Sequence, residues 1–293
     1  MRRSLLFLPG NNPNMLINAD CLGADAVIFD LEDAVSPAEK DAARILVRNT
    51  MRYMQLSCES IVRINSVDTE YWRADLEAIL PERPDFILLP KAATVEDLLT
   101  LDGYMTELEG QLGLELCSVG IIALIETALG VENAFSIARA CKRVKGLFLG
   151  AEDLTADLQC KRTRQGAEIE YSRTRLVVAA RAAGIDVYDT PFTDVNDDEG
   201  IVADAALAKS LGFTGKASIS PRHVDVINST FTPTLAEIDY AYEVLDAIRR
   251  AKAEGKGAIS LRGKMIDAPI VARAERTIAM ARALGLERRG ACE

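Results

Sequence analysis

Short apolar runs alternate along the chain with longer stretches in which apolar residues recur every three or four positions. The short runs have the length of buried β-strands, and the longer stretches have the spacing of amphipathic helices. Strands are predicted over 4–9, 26–32, 60–65, 86–91, 119–126, 146–153, 186–191 and 214–221, with helices between them such as 38–54, 94–111, 130–140 and 168–183. Eight strand–helix units predict a closed parallel (β/α)8 barrel of the TIM type.

The regular pattern ends near residue 231. Thr232-Pro233-Thr234 then precedes a helix with an apolar stripe, and a second helix is predicted over 270–284. The segment 255–269 between them is too apolar for a plain linker and too rich in glycine for a helix. We therefore expect two parts: a barrel over 1–231 and a C-terminal helical arm over 232–293, with 255–269 lying over a barrel mouth.

The predicted strands end in charged residues. In a barrel of this type the chemistry lies at the C-terminal ends of the strands, because their last side chains meet at one rim. The residues at that rim are Asp30, Glu32, Asp33, Arg63, Asn65, Lys91, Glu126, Glu152, Asp153, Asp189 and Lys216. So much charge at one rim indicates an enzyme.

Glu126 and Asp153 end the fifth and sixth predicted strands. Neighbouring parallel strands lie about 4.8 Å apart, so two such carboxylates can bind one ion. Two acids together with waters and substrate oxygens suit Mg²⁺, which prefers oxygen ligands and keeps part of its hydration shell. The alternative is that these acids cap the helices that follow, and for Asp153 the sequence favours neither reading.

Three acids within four positions, Asp30, Glu32 and Asp33, need a nearby cation, which could be the metal, Lys91 or Arg63. Arg63 is flanked by apolar residues, and a guanidinium buried without a partner is costly. Its partner could be a substrate carboxylate or thioester oxygen, or an internal ion pair with Asp30 or Glu32.

Composition narrows the classes of partner. The 293 residues are 49% hydrophobic and carry a net charge of −10, so nucleic acids and anionic membranes would be repelled. No apolar stretch approaches the roughly 20 residues that span a bilayer, and no cleavable signal pattern precedes the first strand. We expect a soluble, cytoplasmic protein. The six cysteines lack metal-ligand spacing, no glycine-rich phosphate loop occurs, and the single histidine, His223, is expected to begin a helix rather than join a catalytic triad.

Several segments carry a family resemblance in order along nearly the whole chain. They are 2–10, 29–33, 62–65, 89–91, 125–126, 149–153, 215–216, 219–222 and 263–269. At these segments the sequence resembles the citrate lyase beta subunit family of acyl-thioester lyases, which includes relatives acting on citramalyl and malyl thioesters. The resemblance implies Mg²⁺ held by Glu126 and Asp153, and substrate and developing enolate gripped by Arg63. It also implies an acid, Asp267, that reaches into the barrel of an adjacent subunit within a homotrimer.

The implied reaction cleaves a 3-hydroxyacyl thioester, citryl-CoA or a citryl group on a carrier protein, to oxaloacetate and an acetyl thioester. Citramalyl-CoA or malyl-CoA cleavage, the reverse condensation, and a non-catalytic scaffold subunit remain as alternatives. We assign proton transfer to Asp267, and support of metal-bound waters and of Lys91 to Glu32 and Asp33. Substrate binding falls to Arg63, Lys91, Glu126, Lys216 and Arg222, the last two near a CoA handle. Partners would be the alpha and gamma subunits of a citrate lyase.

Overall fold

Eight strands of the computed structural model form a closed ring in which each strand runs parallel to both neighbours. The structure describes residues 1–253 and 259–286. The chain divides into two units, one spanning Arg2–Phe231 and the other comprising Met1 and the segment from Thr232 onward. The predicted (β/α)8 barrel is confirmed, and it lies in the first unit.

The barrel strands and helices follow one another in the predicted order. The strands are β1 (Ser4–Pro9), β2 (Ala26–Asp30), β3 (Glu59–Arg63), β4 (Phe86–Leu89), β5 (Gly120–Ile125), β6 (Val144–Leu149), β7 (Asp186–Asp189) and β8 (Gly215–Ser218). The helices are α1 (Pro13–Ile17), α2 (Lys40–Tyr53), α3 (Trp72–Ile79), α4 (Val95–Leu112), α5 (Ala128–Ala138), α6 (Ala151–Asp157), α7 (Glu170–Ala183), α8 (Asp198–Leu211) and α9 (Val224–Phe231). The ring closes where β1 pairs with both β2 and β8.

The barrel core has an inner and an outer layer because successive side chains on a strand face opposite sides. The interior positions are Leu5, Ala26, Ile28, Ile61, Phe86, Leu88, Ile122, Leu124, Phe148, Tyr188 and Ala217. A larger buried cluster lies between the outer strand faces and the helices. Burial on both faces explains why the strands read as continuous apolar runs.

Local signals in the sequence fix where several helices begin and end. Thr94 and Asp97 form a capping box at the start of α4, which ends at Gly113 in the left-handed region with φ 66°. Gly184 and Gly212 end α7 and α8 in the same way. These stops return the chain to the next strand.

The second unit contains α10 (Leu235–Ala253), the antiparallel strands β9 (Ile259–Leu261) and β10 (Lys264–Ile266), and α11 (Ala268–Ala283). Its own apolar cluster is formed by Ala241, Val244, Ile266, Ala274 and Ile278. The two predicted helices are present, and the β9–β10 hairpin accounts for much of the predicted arm. Residues 254–258 of that arm, and 287–293, lie outside the described residues.

One predicted boundary is wrong in a way that bears on function. The sixth strand ends at Leu149 and α6 begins at Ala151, so Asp153 lies in the first turn of a helix rather than at a strand tip. The apolar run continues past the strand because Ala151 and Leu154 are buried on the inner face of α6. Among the described helices, none combines the length and apolarity needed to cross a bilayer.

Candidate active site

A cavity of about 450 Å³ lies at the C-terminal ends of the barrel strands. Several of its lining residues lie two positions beyond an interior core residue of the same strand, so the alternation of the strand carries them to the barrel axis. These residues are Phe7, Asp30, Arg63, Glu126, Gly150 and Thr190. Asp33, Glu152 and Asp153 add charge from the loops and α6, and Leu149, Pro191 and Ile219 add an apolar wall.

Internal carboxylates hold Arg63. Of its two expected partners, a substrate oxygen or an internal acid, the structure shows the internal acid. Its Nε and Nη2 donate to the two oxygens of Asp30 at 2.7 and 2.6 Å, a bidentate geometry. Its Nη1 lies 3.0 Å from Glu32 Oε2 and 3.3 Å from Asp33 Oδ2. Burial opposes the charge, but hydrogen bonding to Asp30 and attraction to the three acids raise the pKa of Arg63 above its usual range.

The guanidinium also packs on an aromatic ring. Arg63 Cζ lies 5.0 Å from the ring centroid of Phe7, within range of a cation–π contact. The Phe7 ring in turn contacts Phe148 at a centroid distance of 5.9 Å. Arg63 therefore has a fixed orientation beside the cavity, set by a carboxylate on one edge and a ring on one face.

Glu126 follows β5 and is buried, with 5% of its surface exposed. Its Oε2 accepts a hydrogen bond from the Lys91 backbone at 2.9 Å. Burial, and then the negative charge of Glu32, raise the pKa of Glu126 to about 8. Because burial and the charge of Glu32 disfavour the ionised form of Glu126, a bound cation would stabilise its carboxylate.

Asp153 approaches the same cavity from the first turn of α6, and its side chain is 45% exposed. The start of α6 is tied to β5 by a hydrogen bond from Gly150 N to Ile125 O at 2.9 Å. It is also tied to β7, because Ala151 N donates to Thr190 Oγ1 at 3.2 Å. Within the structure described, no side-chain hydrogen bond caps the N-terminus of α6, but Asp153 lies in its first turn, where the helix dipole favours a negative charge. A role at the helix terminus therefore stays an alternative to metal binding.

Glu126 and Asp153 fit Mg²⁺ by the chemistry of their donors. Both offer carboxylate oxygens to one cavity, whereas Asp30 is already paired with Arg63. In residues 1–253 and 259–286, no group of three or more His, Cys, Asp or Glu side chains could hold a metal alone. A pair of carboxylates leaves coordination positions for water and substrate, as Mg²⁺ requires.

Lys91 lies beside the acids Glu32 and Asp33, and it is one of the cations that the sequence predicts near them. Lys91 Nζ lies 3.0 Å from Glu32 Oε1 and 3.8 Å from Asp153 Oδ2. Burial opposes its charge, but the hydrogen bond to Glu32 raises the pKa of Lys91. Lys91 and Arg63 thus share Glu32 between them, and Asp33 completes the cluster on the Arg63 side.

Lys216 does not line the cavity, contrary to the expected substrate contact. It is fully buried, and its ammonium lies 2.7 Å from Asp189 Oδ2 and 2.5 Å from Asp204 Oδ2. Arg173 completes this buried cluster with ion pairs to the same two acids. The reason is strand alternation: Ala217 faces the interior, so Lys216 faces the helices.

Four other predicted site residues are not among those that line the cavity: Glu32 and Lys91, which form the neighbouring charged cluster, Arg222, and Asp267 of the second unit. Arg222 is 60% exposed and lies 3.5 Å from Asp198. Asp267 is the N-cap of α11, where its Oδ1 accepts from Ile270 N at 3.2 Å. His223 is buried in a short 3-10 turn, Pro221–His223, directly before α9, close to the helix start that the sequence predicts for it. Proton transfer by Asp267 stays a prediction.

The sequence reasoning missed Phe7 and Gly150. Phe7, like Arg63, lies two positions after an interior residue of its strand. This spacing is the sequence signal that Phe7 lines the cavity. Gly150 is needed because a Cβ there would lie 2.5 Å from Glu126 Oε1. A glycine directly before an acidic pair at the end of a strand was the sequence signal for this close approach.

Known proteins are similar to this chain along most of its length. Residues 3–221 match the family model described as HpcH/HpaI aldolase/citrate lyase. The citrate lyase subunit beta of Leuconostoc mesenteroides subsp. cremoris is 43% identical over 284 residues, which cover 97% of this chain and 94% of the relative.

Solved structures match as well. The CitE protein of Mycobacterium tuberculosis in complex with magnesium, acetoacetate and coenzyme A is 31% identical, with a TM-score of 0.77 over 96% of this chain and 98% of that one. A citrate lyase beta subunit from M. tuberculosis, complexed with oxaloacetate and magnesium, is 32% identical, with a TM-score of 0.67 over 79% and 97% of the two chains.

Proposed function

The chain belongs to the HpcH/HpaI aldolase/citrate lyase family, and on this premise we propose that it is a Mg²⁺-dependent carbon–carbon lyase acting on a citryl thioester. The products are oxaloacetate and an acetyl thioester. The observation that carries the proposal is that Arg63, Glu126 and Asp153 line one cavity at the C-terminal end of the barrel.

Cleavage requires four changes in the substrate. The proton of the 3-hydroxyl is removed, the bond between C2 and C3 breaks, its electron pair passes to C2 as a thioester enolate, and C2 is then protonated. When bound by Glu126 and Asp153, Mg²⁺ would polarise the hydroxyl and its neighbouring carboxylate.

The chain's own residues supply the rest. Asp30, bound to Nε and Nη2, and the Phe7 ring fix the orientation of Arg63. Its Nη1, which pairs with Glu32 and Asp33, would exchange the longer contact to Asp33 for the thioester oxygen where negative charge accumulates. This donor is oriented before the substrate arrives, so little reorganisation is needed in the transition state. The apolar wall around Leu149 and Ile219 limits the access of water to the enolate.

Other assignments are proposals that rest on family membership. Asp267 transfers a proton, supplied by the arm of an adjacent subunit in a homotrimer. The acyl group arrives on CoA or on a carrier protein, and the chain works as the beta component beside alpha and gamma subunits. Arg222, exposed near the C-terminal end of β8, contacts the CoA or carrier-protein handle. A cytoplasmic location stays a prediction.

The direct test is to incubate the purified protein with Mg²⁺ and citryl-CoA, citramalyl-CoA or malyl-CoA, and to identify the 2-oxo acid released. Oxaloacetate from citryl-CoA, lost on chelation with EDTA, is the expected result. Pyruvate or glyoxylate as the faster product would assign the corresponding alternative substrate. No cleavage of any thioester, even with alpha and gamma subunits added, would favour a scaffold.

A matched pair of variants tests the metal ligand. Asp153→Asn should lose measurable Mg²⁺ binding in calorimetry and at least 10²-fold in kcat. Asp225→Asn is the control, because Asp225 is an exposed acid in the first turn of α9. Equal Mg²⁺ affinity in the two variants would remove Asp153 from the ligand set.

A further inference from the structure

Lys91 contacts three carboxylates around the cavity through two different groups. Its backbone N–H donates to Glu126 Oε2 at 2.9 Å. Its ammonium lies 3.0 Å from Glu32 Oε1 and 3.8 Å from Asp153 Oδ2. One residue therefore joins both expected metal ligands to the acidic loop after β2.

This double contact depends on an unusual backbone conformation. Lys91 lies in the left-handed region, with φ 53°, which is unfavourable for a residue with a Cβ. The conformation turns the N–H toward Glu126 while the side chain reaches Glu32. An unfavourable backbone conformation persists at the edge of a site when the surrounding contacts hold the residue in it.

The charges around the cavity show what the ammonium does there. In the part of the chain that the structure describes, Arg63 and Lys91 provide the ion pairs to Asp30, Glu32, Asp33 and Asp153. Arg63 is fixed by its bidentate pairing with Asp30, whereas the Lys91 side chain is 42% exposed on a flexible stem. Lys91 is therefore the cation that can move.

We propose, building on the function above, that the Lys91 ammonium is a resident counter-ion which Mg²⁺ displaces from Asp153. Once displaced, the ammonium binds an anionic group of the substrate. Lys91 thus weakens the binding of Mg²⁺ alone and strengthens the binding of the anion after the metal. It couples the two events into an order, metal first and anion second.

The test measures two affinities without turnover, by calorimetry with Mg²⁺ alone and with oxaloacetate at saturating Mg²⁺. Lys91→Met should bind Mg²⁺ about tenfold more tightly, because a like charge near the ion is removed. It should bind oxaloacetate about tenfold more weakly. Lys91→Arg, which keeps the charge, should stay close to the wild type in both measurements.

Arg83→Met is the matched control. Arg83 precedes β4 at the other end of the barrel, is exposed, and has the same left-handed backbone, with φ 55°. The substitution removes the same charge from the same backbone conformation, and both affinities should remain within twofold of the wild type. If Lys91→Met does not fold, Lys91→Gln replaces it in the same titrations.

The outcomes separate this inference from the function on which it rests. Unchanged or weaker Mg²⁺ binding in the Lys91 variant, or unchanged oxaloacetate binding, overturns the counter-ion role while the lyase remains. A wild type that neither binds Mg²⁺ nor cleaves a thioester overturns both. A shift of equal size in Arg83→Met assigns the effect to net charge and also overturns the inference.

Discussion

Gly150 lies so close to Glu126 that a Cβ at position 150 would fall 2.5 Å from Glu126 Oε1. Gly150 has φ −100°, so alanine would fit the backbone, and the three atoms nearest to the added Cβ all belong to the Glu126 side chain. We therefore expect Gly150→Ala to displace Glu126, to weaken Mg²⁺ binding at least tenfold and to lower kcat. Calorimetry and a product assay check this. Gly103→Ala in α4 is the control, since its Cβ meets nothing within 4 Å, and equal Mg²⁺ binding by both variants would contradict the prediction.

Arg63→Lys tests the value of a planar, bidentate cation. Lysine keeps the charge but cannot reproduce the two hydrogen bonds to Asp30 or the stacking on Phe7. We expect kcat to fall by about 10²-fold or more, in line with the loss of an oriented donor to a developing oxyanion. Steady-state kinetics measures the effect. A kcat within threefold of the wild type would mean that charge alone suffices at this position.

Asp267→Asn separates a structural role from a chemical one. Asparagine caps a helix as well as aspartate does, so the bond to Ile270 N and the stability of α11 should persist. If Asp267 transfers a proton, kcat falls by at least 10²-fold while the melting temperature stays constant. A variant with wild-type kcat would show that capping is its whole contribution.

Lys216→Met should destabilise the fold by about 3–5 kcal/mol, because Asp189 and Asp204 would remain buried without a cation at this position. Arg222→Met removes one charge from an exposed pair with Asp198, and we expect a loss below about 1 kcal/mol. Urea unfolding compares the two. Similar losses would contradict the structural role of the buried cluster. A raised KM for the CoA thioester in Arg222→Met alone would support its proposed contact with the handle.

We expect the contribution of Glu168 to the free energy of unfolding to decrease at low pH. Burial opposes its charge, but hydrogen bonds from Thr163 and Arg162 lower the pKa of Glu168 to about 2. A lowered pKa means stabilisation that is present above the pKa of an unfolded glutamate, about 4.3, and is lost as pH falls toward 2. Glu168→Gln should therefore be less stable than the wild type at pH 7, with a smaller difference at pH 3. Urea unfolding at both values tests this, and a constant difference would argue against it.

The sequence predicts the strands well because burial on both faces leaves an unbroken apolar run for each. Side-chain direction is harder, since a one-residue shift in register exchanges the two faces. Arg63 and Lys216 look alike in sequence, each a cation near the end of a strand, yet Arg63 lines the cavity whereas Lys216 faces α8 and pairs with Asp204 there. Counting in twos from Ile61 and Ala217 would have separated them, provided that the interior positions were already known.

The position of Asp153 was harder still to obtain from the sequence. Its segment continues the apolar run of β6 into α6, and periodicity alone does not mark where a strand becomes a helix over so few residues. The left-handed backbone of Lys91 has no local signal either, because lysine is not a residue that favours it. Both features follow from tertiary contacts with Glu126 and Thr190.

Two parts of the cavity wall come from different kinds of structure. Asp30 and Arg63 form an ion pair at the ends of β2 and β3, whereas Pro191 and Ile219 belong to the loops after β7 and β8. Loops tolerate replacement far better than paired strands do. We therefore expect substitutions of these loop residues to change which acyl group the cavity accepts, while the paired Asp30 and Arg63 stay in place.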